Sequence, residues 1–330
     1  MLDAQTKAIL DKMKESNAPP MHTLPVPQAR AMLKEVSRLM DAPKTEVFKW
    51  DEVKIPGPSG DIPARIYRPR ATDKKELLPV LLLYHGGGFM MGDLDTHDNM
   101  ARFYCNRAEV VVVSVDYRLA PEHKFPAGIE DSYAALCWVG ENATALGVDP
   151  VRIGVTGDSA GGNFSAVLCQ LTRARSGPAV AYQALVYPST NFDLEADYAS
   201  RESFGGGDYF LTMQDITWIS GLYFRDYEKE KADLRASPIL EKDLSGLPPA
   251  LVITAGFDPL RDEGEEYARR LAEAKVPVEY RCFDTTIHGF LSFSGALDAG
   301  KHGLELVADQ IRKALYKGID KWAGSADRLF

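Results

Sequence analysis

Arg152-Ile153-Gly154-Val155-Thr156-Gly157-Asp158-Ser159-Ala160-Gly161-Gly162 is the stretch on which the reading of this chain turns. Its first half has the apolar, partly β-branched form of a short strand. From Ala160 a helical composition runs to Arg175, where Ser176-Gly177-Pro178 supplies a glycine stop and a residue that cannot continue a helix. A strand that meets a helix across G-x-S-x-G is the context of a nucleophile elbow, in which a serine is presented on a strained turn above the strand end. Glycines two before and two after the serine are then required, because side chains there would strike the adjoining strand and helix. The following helix would turn its positive end toward the hydroxyl. Taken alone, the pentapeptide fits a serine helix cap beside flexible glycines equally well. The preceding strand and the additional Gly162 favour the elbow.

Outward from this segment, short continuous apolar runs alternate with helical stretches. They are Val80 to Tyr84, Val110 to Val115, Ile153 to Thr156, Ala181 to Tyr187, Leu251 to Thr254 and Val278 to Phe283. Strands of that kind belong to a mostly parallel sheet covered by helices on both faces, so a doubly wound α/β fold is expected. Upstream, Phe48 to Ile55 and Ala64 to Tyr67 flank Pro56-Gly57-Pro58-Ser59-Gly60, which reads as an antiparallel hairpin. The first forty residues read as two helices around a proline-rich joint. Leu2, Thr6, Ile9, Leu10 and Met13 share one face, Ala18 to Pro27 is the joint, and Ala31 to Met40 resumes. Residues 190–225 break the βα rhythm with Gly205-Gly206-Gly207 and a run of aromatics that includes Phe204, Phe210 and Trp218. Thr212-x-x-Asp215 is a helix start within that insertion.

Two further constellations supply what an activated serine needs. His85-Gly86-Gly87-Gly88-Phe89 follows the strand Val80 to Tyr84 and offers backbone N–H groups that a developing oxyanion could approach closely. A glycine-rich phosphate loop is the alternative, but G-x-G-x-x-G and G-x-x-x-x-G-K-[ST] are both absent here and the acidic Asp93 follows. His85 precedes the glycines and is expected to anchor the loop. An acid and a histidine should follow the serine in that chain order, each at the end of a later strand. Asp258 lies just past Leu251 to Thr254 and His288 just past Val278 to Phe283, with Asp262, Glu263 and Asp284 as rival acids.

These motifs, together with Asp116-Tyr117-Arg118-Leu119-Ala120-Pro121-Glu122 and Phe125-Pro126-Ala127, resemble the bacterial hormone-sensitive-lipase-like esterases of the α/β-hydrolase superfamily. The resemblance covers nearly the whole chain and is weakest across residues 190–225. It implies an α/β-hydrolase fold, a mostly parallel central sheet flanked by helices, with a helical cap. Ser159 would be the nucleophile, His288 the general base and acid, and Asp258 its orienter. The N–H groups of Gly87, Gly88 and Ala160 would form the oxyanion hole. Residues 1–45 and 190–225 would build the cap, with 46–189 and 226–330 as the two parts of the core. The expected activity is that of a serine carboxylesterase acting on short to medium acyl esters. A non-catalytic small-molecule receptor on the same fold, or the same triad acting on an amide, formamide or lactone, are the other readings.

Composition narrows the remaining classes. The chain has 330 residues with 45% apolar and 26% charged side chains, a globular balance that excludes disordered and fibrous chains. A net charge of −9 without a long basic cluster offers no footprint for nucleic acid. The longest apolar run, Leu77 to Tyr84, is far too short to span a membrane, for which roughly 18 residues are needed. Cys105, Cys137, Cys169 and Cys282 form no C-x-x-C pair, and the polar N-terminus lacks a secretory layout, so a cytoplasmic protein is expected. Neither metal nor organic cofactor is expected, and the partner is a small-molecule ester. Oligomeric state, a homodimer among the options, is not written in the motifs.

Overall fold

The apolar runs assemble into one sheet whose parallel part points all its chemistry-bearing loops to the same edge. The structure is a computed structural model and describes residues 1–73 and 76–317. Its strands are β1 (Lys49–Gly57), β2 (Gly60–Arg68), β3 (Leu78–Tyr84), β4 (Val111–Val115), β5 (Val148–Asp158), β6 (Tyr182–Val186), β7 (Ala250–Phe257) and β8 (Val278–Ile287). They lie in the order β1-β2-β4-β3-β5-β6-β7-β8. The pairs β1/β2 and β2/β4 are antiparallel and the pairs from β4 through β8 are parallel. Every residue of β3, β4 and β6 is buried, which is why their sequences are unbroken apolar runs.

The helices are α1 (Ala4–Glu15), α2 (Val26–Met40), α3 (Asp98–Ala108), α4 (Ala127–Glu141), α5 (Ala143–Leu146), α6 (Ala160–Ala174), α7 (Ala199–Phe204), α8 (Met213–Tyr223), α9 (Tyr227–Glu230), α10 (Arg261–Glu273) and α11 (Asp298–Lys317). Side chains of a strand alternate between faces, and β3 shows how the core divides. Val80, Leu82 and Tyr84 join the core built with α4, α6 and α10, whereas Leu81 and Leu83 join the one built with α3 and α11.

Several strands run a few residues beyond the apolar runs, and two boundaries differ for a physical reason. Helix α2 begins at Val26, five residues before Ala31, because a proline in the first turn lacks only an N–H that has no intrahelical partner anyway. Strand β1 runs through Pro56 and pairs Gly57 with Gly60, so the hairpin turn shrinks to Pro58-Ser59. Proline is tolerated there because β1 is an edge strand. Between β6 and β7 lie α7, α8 and α9, and Thr212 and Asp215 close a reciprocal capping box at the start of α8. Among the described residues no helix is long and apolar enough to cross a membrane.

Candidate active site

Strand β5 ends at Asp158 and α6 starts at Ala160, which leaves Ser159 alone on the turn with φ 54° and ψ −114°. A non-glycine residue at positive φ stores strain, and here its N–H is held by the Val186 carbonyl at 2.9 Å. The turn is this tight because α6 leaves directly over β3. A Cβ at Gly161 would fall on the Tyr84 carbonyl oxygen, so no other residue fits.

The parallel strands β7 and β8 deliver Asp258 and His288 to the same edge. Asp258 Oδ2 lies 2.7 Å from His288 Nδ1, and His288 Nε2 lies 2.9 Å from Ser159 Oγ. A carboxylate only accepts, so Nδ1 carries the ring proton and Nε2 presents a lone pair to the serine hydroxyl. Asp258 is fully buried and its other oxygen takes the Leu260 N–H at 2.8 Å, which fixes the carboxylate plane. The rival acids are occupied elsewhere. Asp262 accepts the Ser200 N–H and pairs with Arg261, and buried Glu263 pairs with Arg201. Asp284 lies on β8, with its backbone against Gly256.

The glycine loop follows β3. Gly87 and Gly88 have φ 117° and 60°, and the loop is closed by the Met91 N–H donating to the Gly87 carbonyl at 2.8 Å. Among the described residues no acceptor meets the N–H groups of Gly87, Gly88 or Ala160. His85 lies behind the loop. Its Nδ1–H donates to the Gly86 carbonyl at 2.8 Å, its ring stacks on Tyr117 at 4.3 Å, and the Tyr117 hydroxyl donates to the His85 carbonyl at 2.6 Å. Burial, aided by the nearby His97, pushes the His85 imidazole down to about 4, so it is neutral near pH 7.

Gly86, Gly87, Gly88, Ser159 and His288 line a cavity of about 110 Å³ whose surface is mostly apolar. Met21 and Leu33 come to it from the N-terminal segment, and Leu211, Ile216 and Ile219 from the stretch between β6 and β7. Two of the lining residues that escaped the sequence reading belong together. Asp158 and His97 form a buried pair, Oδ1 to Nε2 at 2.9 Å, at the base of the glycine loop. The signal was an acid placed between a buried strand and the elbow serine, since such a charge needs a partner. His97 itself stands in a polar loop with nothing local to mark it.

Known proteins resemble this chain in sequence and fold. A family model described as alpha/beta hydrolase fold matches residues 81–292. The carboxylic ester hydrolase LipN of Mycobacterium tuberculosis is 48% identical over 269 residues, 80% of this chain and 70% of that protein. The carboxylesterase NlhH of the same organism is 44% identical over 262 residues, 78% of this chain and 79% of that protein. A hyperthermophilic esterase from the archaeon Pyrobaculum calidifontis superposes with a TM-score of 0.89 at 40% identity, covering 94% of this chain and 98% of its own. With its sheet order, its elbow and these likenesses, the chain belongs to the alpha/beta hydrolase fold family, among the hormone-sensitive-lipase-like esterases.

Proposed function

We propose that this carboxylic ester hydrolase cleaves short to medium acyl esters with Ser159 as nucleophile, His288 as base and acid, and Asp258 as orienter. The observation that carries the reading is the continuous chain of contacts from Asp258 through His288 to Ser159 Oγ, at 2.7 and 2.9 Å, opening into an apolar cavity. Ser159 Oγ attacks the ester carbonyl as its proton passes to His288 Nε2. The carbonyl oxygen then carries negative charge, which the free N–H groups of Gly87, Gly88 and Ala160 are suited to accept. Collapse releases the alcohol, which leaves with the proton from His288, and an acyl group remains on Ser159. Water gives a proton to His288, attacks the acyl carbon, and the acid departs as the serine regains its proton.

Residues 1–45 and 190–225 act in this reading as a cap over a core of 46–189 and 226–330, of which 74–75 and 318–330 lie outside the described residues. The Met21, Leu33 and Ile219 side chains on the cavity wall support that role. The cysteines at 105, 137, 169 and 282 are all free thiols, in keeping with the cytoplasmic location expected of the sequence.

The test is a rate profile over p-nitrophenyl esters of increasing acyl length, with an anilide and a lactone alongside, on the wild type and on Ser159→Ala. Ester turnover that disappears with the serine is the expected result. Binding without turnover would make the protein a receptor, and a faster lactone or anilide reaction would change the bond assigned.

A further inference from the structure

The glycine loop and the nucleophile turn are separate pieces of chain, one after β3 and the other after β5, and something must fix the distance between them. Asp158, the residue immediately before the nucleophile turn, does this through its side chain. Its Oδ1 takes the Gly86 N–H at 2.9 Å, and a Cβ at position 86 would collide with its Oδ2. Gly86 immediately precedes the two glycines whose N–H groups meet no acceptor among the described residues.

A carboxylate is an awkward choice for such a clamp. Asp158 is almost fully buried and lines the same cavity as Ser159, so an uncompensated charge there would repel the oxyanion that the glycines must hold. His97, also buried, meets Asp158 Oδ1 at 2.9 Å through Nε2. His97 Nδ1 lies 2.9 Å from Thr96 Oγ1, which also reaches the Asp93 carbonyl at 2.9 Å, and the Gly86 N–H that Asp158 holds also passes 3.2 Å from His97 Nε2. Contact with the buried carboxylate favours the protonated, positively charged form of the ring. Burial opposes that charge, but Asp158 outweighs it, so the His97 imidazole sits above its ordinary value. Burial is likewise outweighed at Asp158, which is held below the usual carboxylate range.

We propose that Asp158 and His97 are positioning residues for the oxyanion site: Asp158 clamps the Gly86 end of the glycine loop to the nucleophile turn, and His97 cancels the clamp's charge. This rests on the assignment of Ser159 as nucleophile and of the Gly87 and Gly88 amides as oxyanion donors. The clamp leaves ground-state ester binding alone and acts on the transition state, because only there does the carbonyl oxygen carry the charge that the placed amides stabilise.

The experiment measures kcat and KM for p-nitrophenyl butanoate with Asp158→Ala, Asp158→Asn, His97→Gln and the double variant Asp158→Asn/His97→Gln, with thermal unfolding of each. Asp158→Ala is expected to lose about 100-fold in kcat, near what one oxyanion donor provides, with KM within about threefold. Asp158→Asn keeps an oxygen acceptor for the Gly86 N–H and should recover kcat to within about tenfold of wild type. His97→Gln leaves the carboxylate without a cationic partner, and the double variant, which removes that charge, should turn over faster than His97→Gln alone. Wild-type kcat in Asp158→Ala overturns the clamp, and a double variant no faster than His97→Gln overturns the charge cancellation. If Asp158→Ala does not fold, the His97→Gln and double-variant comparison decides. Ser159→Ala separates the two levels: if it keeps turnover the underlying assignment falls, and if it is inactive any failure belongs to the clamp.

Discussion

Asp258 Oδ2 lies 2.7 Å from His288 Nδ1, the one acid of four candidates that reaches the histidine. Asp258→Asn should therefore lower kcat on the order of 1,000-fold, similar to or somewhat less than loss of the serine, by disturbing the imidazole tautomer and its charged form. Ser159→Ala and His288→Ala should each lose about 1,000-fold or more. Asp262→Asn and Asp284→Asn should stay within about tenfold of wild type. Steady-state kinetics on a p-nitrophenyl ester check all five, and a crippled Asp284→Asn beside an active Asp258→Asn would reassign the acid.

The size of the cavity predicts a chain-length optimum. Each methylene buried against Leu211, Ile216 or Ile219 is worth about 0.8 kcal/mol, so kcat/KM should climb up to fourfold per carbon until the wall is met. Ile219→Ala removes part of that wall and should move the optimum to a longer acyl or alcohol chain. An unchanged profile would show that Ile219 does not bound the occupied space.

Gly161→Ala tests the elbow itself. The added methyl would meet the Tyr84 carbonyl oxygen, which is backbone and cannot swing aside. Loss of more than about 100-fold in activity together with destabilisation of several kcal/mol, read from a urea midpoint, is the expected outcome. Gly206→Ala, where a methyl meets nothing, serves as the control.

Acid should loosen the packing around α3. Buried Asp98 receives the Tyr67 hydroxyl at 2.7 Å, Arg102 at 2.8 Å and Lys44 at 2.7 Å. Burial raises its pKa, but these donors outweigh burial and hold the carboxyl below its ordinary value. A carboxyl depressed in the folded state contributes stability that is fully present above its unfolded pKa of about 3.9 and is lost as pH falls through the folded value. Asp98→Ala should lower stability by about 3 kcal/mol at pH 7 and flatten the acid side of the stability profile. An Asp98→Ala protein whose stability falls below pH 4 as steeply as the wild type would assign the acid sensitivity to other carboxyls.

Removing residues 1–40 should strip Met21, Leu33 and Ser37 from the cavity wall. It also removes the Arg30 guanidinium, which donates to the Met90 and Ala120 carbonyls beside the glycine loop. Raised KM and altered chain-length selectivity are expected, with the sheet still formed by circular dichroism. Wild-type kinetics in the truncated protein would reduce the segment to a tail.

The legible parts of this molecule are those where local chemistry and tertiary role coincide. Ser159 announces itself because the same glycines that mark the sequence are the ones the turn needs, and the burial of β3 and β4 on both faces is written directly as valine and leucine. Pro25 and Pro27 misled because a proline that breaks a helix interior is welcome in its first turn, so α2 starts earlier than a breaker rule allows. Asp158 and His97 lie 61 positions apart and meet only because β3 and β5 are neighbours, so no window of sequence holds both. The pairing was implicit in the cost of a lone buried acid, yet its partner could be named only from the sheet order.

Ser159 and His288, the proposed nucleophile and base, stand 129 residues apart in the chain, and His288 follows β8, which pairs with β7 alone at the sheet margin. At synthesis rates of about 5–20 residues per second, a growing chain displays Ser159 on the order of ten seconds before His288 exists. Throughout that interval the serine is an ordinary alcohol. On the proposed assignment, hydrolysis is switched on by the docking of the last strand, and recovered activity during refolding should report completion of the sheet edge. On the same assignment, a nascent or nicked fragment that stops short of β8 would carry the signature motif yet lack the base that activates it.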